Sequence, residues 1–268
     1  MRDDQYDFKV GEKGQEGLDI LDIMFNLHTQ KHILQAGIQP GLRVLDIGCG
    51  RGAMSLWLAE QVGETGRVLA IDNSENQIKA TIDLIKDKPD WLEFKIHSAF
   101  DLHELNEQFD MAYCRFTLHH LNNPTKVIEK VFNLLPKGGI FIVEEGIVSA
   151  AFAYPRTKAW GNERLEYPLE AEGEEDRDGN FGLKLFNRMV TVGFNVNYAG
   201  LFQPLLYTKE QKQLLVGSAR EDYKQYALNH GITLNEWEQR MLEMDRLIEN
   251  DAGCIGFYQS CIVVGKKP

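Results

Sequence analysis

Apolar positions first gather between Leu18 and Ala36, where Leu18, Leu21, Ile23, Phe25, Leu27, Ile33 and Leu34 predict one or two helices ahead of the first strand. The pattern then changes. Arg43-Val44-Leu45-Asp46-Ile47 is a continuous aliphatic run, as expected of a strand buried on both faces of a parallel sheet. Glycines stand at positions 48, 50 and 52, after which Ala53, Met54, Leu56, Trp57, Leu58 and Val62 recur at helical spacing until Gly63 and Gly66 close the segment. Gly66 to Asp72 is a second strand ending in an acid, and strand and helix alternate through Glu145. Residues 147–180 carry the aromatics Phe152, Tyr154, Trp160 and Tyr167 and an acidic, glycine-bearing end, which reads as an insertion. Leu183 to Val192 is helical again, Gly193-Phe194 turns into a strand through about Leu206, and Ile255 to Gly265 forms the last strand. Between these strands Lys209 to Asn250 is helical, with Trp237, Met241, Met244 and Ile248 on one face, the packing stripe of a cap.

The chemistry is concentrated where the first strand meets its glycines. Glycine permits positive φ and lets a ligand approach bare backbone, and a helix start adds outward-pointing N–H groups. Asp72 lies where a βαβ nucleoside site places its acceptor for two ribose hydroxyls. Gly48-Cys49-Gly50-Arg51-Gly52-Ala53 also satisfies the G-x-G-x-x-G/A fingerprint of dinucleotide enzymes. Asp46 argues the other way, because a carboxylate at the mouth of the loop repels a pyrophosphate. It suits a ligand without phosphate that carries an amine and a sulfonium, and S-adenosylmethionine is such a ligand.

The chain resembles the class I S-adenosylmethionine-dependent methyltransferases on five segments in family order: VLDIGCGRG, VLAIDNS, FKIHSAFDL, FDMAYCRFTLHHL and LLPKGGIFIVEEG. The resemblance implies an α/β fold, a Rossmann-like, doubly wound, mostly parallel seven-stranded sheet with helical insertions. It implies three regions: an N-terminal helical lid segment over 1–37, a cofactor-binding core over 38–146, and 147–268 holding the rest of the sheet, the insertion 147–180 and a helical cap 209–250. By the same resemblance S-adenosylmethionine is held by Asp46, Gly48, Cys49, Gly50, Asp72, Asn73, Gln77, Ser98, Ala99, Phe100 and Arg115. Many relatives have Asp where this chain has Ser98, so the adenine amino contact falls to Ser98 or a neighbour, with the Ala99 N–H on the ring and Phe100 flanking it. Arg115 has two readings, pairing with the methionyl carboxylate or with a protein acid. Tyr6 sits in a segment able to close over the cofactor or to fray.

A sulfonium methyl is already electrophilic, so the enzyme must hold a nucleophile in line and exclude water. A base assists when the acceptor is a hydroxyl or amine. The candidate is His119, after the fourth strand, with Glu145 at the end of the fifth to orient it; the plainer alternative has His119 capping a helix or lining the pocket. The acceptor itself is not legible, although the aromatic insertion and cap fit a small or medium organic molecule.

Composition bounds these readings. A chain of 268 residues buries one large core, or one domain plus a cap, and its formal net charge of −11 argues against nucleic acid as partner. No segment has the length of a membrane span, and a homodimer stays open. Cysteines at 49, 114, 254 and 261 lack paired spacing, so reduced thiols in a cytoplasmic protein are expected and a zinc site is not. Residues 174–179 (EEDRDG) begin like a calcium loop, but Leu185 occupies the position of the bidentate glutamate, which favours a solvated loop without metal. An NAD-dependent oxidoreductase and a non-catalytic nucleoside-binding protein remain as alternatives.

Overall fold

The computed structural model describes residues 12–85, 87–160, 178–222, 224–229 and 231–268. Tyr6, Tyr167 and residues 174–177 of the acidic stretch lie outside the described residues. A single long helix, α1 (Glu12–Ala36), precedes β1 (Arg43–Ile47), α2 (Ala53–Val62), β2 (Arg67–Asp72), α3 (Glu75–Leu84) and β3 (Leu92–Ile96). The chain crosses back through β4 (Met111–Arg115), α4 (Pro124–Leu134) and β5 (Ile140–Ile147). After β6 (Phe152–Tyr154) come α5 (Gly182–Val192), β7 (Asn195–Phe202) and β8 (Leu205–Leu206). The remainder comprises α6 (Lys209–Asp222), α7 (Lys224–Asn229), α8 (Leu234–Ile248), β9 (Cys254–Gly256) and β10 (Gln259–Lys266).

Seven strands form one sheet in the order β3-β2-β1-β4-β5-β10-β7, with β10 antiparallel to both its neighbours and the others parallel. The central parallel strands β1, β2 and β4 are buried on both faces, which is why their sequences run apolar without alternation. Strand order reverses between β1 and β4, so a crevice opens at their carboxyl ends. Two cores fill the two faces of the sheet, one around Leu45, Ile71, Phe141 and Leu185 beneath α4 and α5, the other around Val44, Leu58, Val68 and Ile78 beneath α2 and α3. A third core, with Ile20, Phe25, Trp160, Leu206, Leu215, Met244 and Ile255, joins α1 to α6, α8 and a small sheet ordered β6-β9-β8.

That small sheet corrects one expectation. The apolar run from Ile255 to Gly265 is not one strand: β9 pairs in the small sheet, β10 in the large one, and the chain passes between them at Phe257 and Tyr258. Phe257 N–H donates to Pro204 C=O, and Gln203 Nε2 donates to Phe257 C=O, so the break is held by hydrogen bonds rather than left open. The strand expected through Leu206 is likewise divided, into β7 and β8. The helical stretch after it contains three helices, and α8 starts with a capping box between Thr233 and Glu236. Its stripe is the packing face: Trp237, Met244 and Ile248 are buried.

Candidate active site

The loop after β1 is built on glycine for conformational and steric reasons together. Gly48, Gly50 and Gly52 have φ of 72°, 51° and 75°, values that other residues adopt only with strain. A Cβ on Gly48 would collide with the Thr117 side chain, and one on Gly52 would lie 2.8 Å from the Phe94 ring. The N–H groups of Gly48 and Cys49 both donate to Ile71 C=O, at 2.8 and 3.0 Å, which fastens the loop to β2. Gly50 N–H donates to Asp72 Oδ2 at 3.2 Å and Ser74 N–H to Oδ1 at 2.9 Å, so the second acid is held against the glycine loop. Thr81 Oγ1 donates to Gly50 C=O at 2.9 Å from α3.

Asp46 is almost wholly buried and accepts from Ser55 Oγ at 2.6 Å. Burial pushes its carboxyl up to about 7; Ser55 and the charge of Arg115 oppose that rise, while Asp72 and Asp22 add to it. Asp72 is shifted upward too, again by burial, against its backbone hydrogen bonds. Burial raises the Cys49 thiol well above its ordinary range. Asn73 is exposed, whereas Gln77 is buried on α3 with its N–H donating to Ser74 Oγ. His97 N–H donates to Asp72 C=O, and Ser98 Oγ accepts from Phe100 N–H at 3.1 Å, turning Ala99 and Phe100 into a short 3-10 segment at the end of β3.

Arg115, at the tip of β4, takes the second of its two readings. Its Nη2 donates to Asp22 Oδ1 of α1 at 2.7 Å, and its Nη1 donates to Thr29 Oγ1 at 3.3 Å. Thr29 in turn donates to Glu144 Oε2 at 2.5 Å, and Ser260 donates to Glu144 Oε1 at 2.6 Å. Burial works against the charge on Arg115, but Tyr113, Glu144, Asp22 and Asp46 around it raise its affinity for the proton. Three carboxylates thus surround one guanidinium, and Asp22, Thr29, Glu144, Ser55 and Ser260 were not singled out by the sequence. No local spacing marks them, since Thr29 and Glu144 meet across 115 residues.

His119 and Glu145 are brought together. Glu145 is fully buried; its Oε1 accepts from Thr117 N–H at 3.0 Å and Leu118 N–H at 2.7 Å, and its Oε2 lies 2.6 Å from His119 Nδ1. A carboxylate accepts, so Nδ1 is the donor and the lone pair is on Nε2. The two amides point at Glu145 because Phe116 kinks into left-handed backbone, φ 49°. Downstream, Asp178 N–H donates to His119 C=O and the Asp178 carboxyl pairs with Lys184, the described part of the acidic loop. Among the described residues no group of three or more metal-ligating side chains occurs, and no helix is long and apolar enough to cross a membrane.

Comparison with known proteins identifies the family and the fold. A family model described as a methyltransferase domain matches residues 38–190. A ubiquinone/menaquinone biosynthesis C-methyltransferase, UbiE, of Hydrogenovibrio crunogenus is 30% identical over 46% of this chain and 51% of its own length. Phosphoethanolamine N-methyltransferase 1 of Arabidopsis thaliana is 26% identical over 44% of this chain and 23% of its own. The chain spans about half the length of the first curated relatives it matches, 51% and 53%. Among solved structures, one of a putative methyltransferase from Bacillus halodurans superposes with a TM-score of 0.60 at 17% identity, covering 90% of this chain and 98% of that one. Phosphoethanolamine N-methyltransferase 2 of Haemonchus contortus, solved with S-adenosylhomocysteine, gives 0.56 at 15% identity, covering 96% and 58%. With its domain model spanning more than half of the sequence, the chain belongs to the class I S-adenosylmethionine-dependent methyltransferases.

Proposed function

We propose that this chain moves the methyl group of S-adenosylmethionine to a small or medium organic acceptor by in-line displacement at the sulfonium carbon. The charge of the crevice carries the reading. Asp46 and Asp72 stand at its floor, backed by Asp22 and Glu144, with Arg115 engaged among them. An ammonium and a sulfonium relieve that excess of negative charge, whereas a pyrophosphate adds to it. The family match points the same way and leaves the oxidoreductase alternative without support.

The chain's own residues fit the donor. Gly48 lets the loop pass against Thr117 where a Cβ would collide, Asp72 holds its carboxylate at the glycine loop, and Ser98, Ala99 and Phe100 supply a ledge for a purine after β3. In this reading Asp46, Gly48, Cys49 and Gly50 hold the amino-acid end, Asp72, Asn73 and Gln77 the ribose side, and Arg115 acts through the field it shares with Asp46. His119 Nε2 receives the acceptor's proton and Glu145 fixes the imidazole. Four unpaired thiols suit a cytoplasmic compartment.

Titration calorimetry tests the donor half. S-adenosylmethionine and S-adenosylhomocysteine should saturate the chain and NAD should not, and Asp72→Ala should weaken binding by about 1.5–3 kcal/mol through loss of a charge-assisted acceptor. Saturation by NAD alone, or unchanged affinity in Asp72→Ala, defeats the assignment.

A further inference from the structure

We infer that two copies of this chain pair edge to edge through β7, joining their large sheets across a two-fold axis; the inference is independent of the methyl-transfer reading above. β7 is the last strand of the large sheet and, among the described residues, bonds to β10 alone. None of its eight residues is buried. Such a strand offers a free row of N–H and C=O groups, which sheets commonly guard with charge or proline. The opposite edge is guarded, since β3 presents Glu93 and Lys95 to solvent. β7 carries neither charge nor proline, and the whole stretch from Met189 to Thr208 lacks a charged residue in a chain that is 26% charged. Its one irregularity of register falls at Asn197 and leaves Tyr198 to Phe202 regularly paired.

One flank of α5 extends this margin. Leu185 and Met189 turn into the core, while Lys184 reaches Asp178, whose N–H holds His119 in the turn that leads to α4. At about 100° per residue, Leu183, Phe186 and Val190 fall on the other flank, toward β7. Leu201 lies on the same side of the sheet, because it stands opposite Cys261 in a register that fills the core beneath α5. β8 ends the small sheet just beyond, with Leu205 outward. With Tyr198 on the far face, these six side chains are between 39% and 66% exposed. At about 150–200 Å² each when bare, they leave about 500–600 Å² of apolar surface. That is as large as the largest patch a monomer ordinarily shows, and most of the ~800 Å² that a standard interface takes from each partner.

A second copy matches this margin in both its parts. A two-fold axis perpendicular to the sheet sets β7 antiparallel to the β7 of the other copy and keeps both α5 helices on one face, so the two apolar flanks meet over the seam. The formal net charge of −11 opposes self-association, and an uncharged margin relaxes that repulsion.

Sedimentation equilibrium of the full chain at micromolar concentration should give twice the mass of one copy. Leu201→Lys and Phe186→Glu change exposed side chains and should each weaken the dimer about 100-fold or more, since the axis counts every substitution twice, with the circular dichroism of the parent retained. Ile96→Lys, on the exposed outer end of β3, should leave the dimer intact. In the unaltered chain, amides from Tyr198 to Phe202 should exchange more slowly at high concentration than after dilution to the monomer. A single-copy mass throughout the micromolar range, growth beyond two copies, a dimer that survives both β7 and α5 substitutions or is lost equally in Ile96→Lys, or exchange in β7 that ignores concentration overturns the inference.

Discussion

Asp46 carries the clearest pH signature in the molecule. Its carboxyl is raised to about 7 by burial, so the folded chain holds a proton there that the unfolded chain releases near its ordinary value. The Asp46 contribution to stability is therefore complete below the unfolded pKa and is lost as pH climbs through about 7. Asp46→Asn keeps an acceptor for Ser55 and removes the charge. It should be more stable than the parent at pH 8 by roughly 2–4 kcal/mol, no different at pH 4, and should lose donor affinity. Melting temperatures across that range check it, and a parallel pair of curves would refute the assignment. At Glu145 the expectation concerns a tautomer. Glu145→Gln keeps an oxygen for Thr117 and Leu118 N–H but presents an amide to His119 Nδ1, which forces the proton onto Nε2. Turnover should fall about 10²-fold or more in both Glu145→Gln and His119→Ala, with S-adenosylhomocysteine affinity intact; single-turnover kinetics beside calorimetry separates the two effects.

Among the elements, α1 is the one whose role the sequence hid. Apolar spacing located it from Leu18 to Ala36, yet nothing in that spacing marks Asp22 and Thr29, and it is their contact with Arg115 and Glu144 that moors the helix over β4 and β5. By contrast β1, α2 and β2 were legible to within a residue, because glycine placement and continuous aliphatic runs are local signals. Where two sheets share one apolar run, as over β9 and β10, hydrophobicity cannot mark the break: both halves are buried, and the partners that divide them, Pro204 and Gln203, lie about fifty residues away. The mooring predicts a pH-dependent cost. Arg115→Leu removes the cation facing Asp22, Asp46 and Glu144 and should destabilise the fold by about 3–5 kcal/mol at pH 8. The loss should shrink toward pH 6, since the freed carboxyls of Asp46 and Glu144, both already raised by burial, take up protons there. Denaturant unfolding at the two values measures this, and an equal loss at both would show that the network is not electrostatic.

On the scale of the whole molecule, the chain divides chemically along the sheet's carboxyl edge. In the proposed reading the donor half is short-range, running from Asp46 to Asp72, and so has local sequence signals; the acceptor half is assigned to α1, the turn after β4, the small sheet and the helices α6 to α8, whose contacts have no local trace. The third core is what holds that second half in place, and it has an identifiable fastening. Lys212 of α6 is buried, and its Nζ donates to Leu247 C=O at 3.0 Å, Asn250 C=O at 2.7 Å and Gly253 C=O at 3.3 Å, tying α6 to the last turn of α8 and to the turn that follows it. Lys212→Met keeps the apolar stem and removes the three charge-assisted hydrogen bonds, a loss of about 2–4 kcal/mol by the scale of such bonds. Because Ile20 and Phe25 of α1 share this core with Leu215, Met244 and Ile248, amide exchange should quicken in α6, α8 and the first half of α1. It should stay slow in α2 and α3, which pack on a different core. Donor-product affinity should change less than about threefold, within the range expected for a distant site, while acceptor KM rises. Uniform acceleration across the sheet, or loss of donor binding equal to the loss of acceptor binding, would mean that the two halves unfold as one unit and that the cap has no separate part in presenting the acceptor.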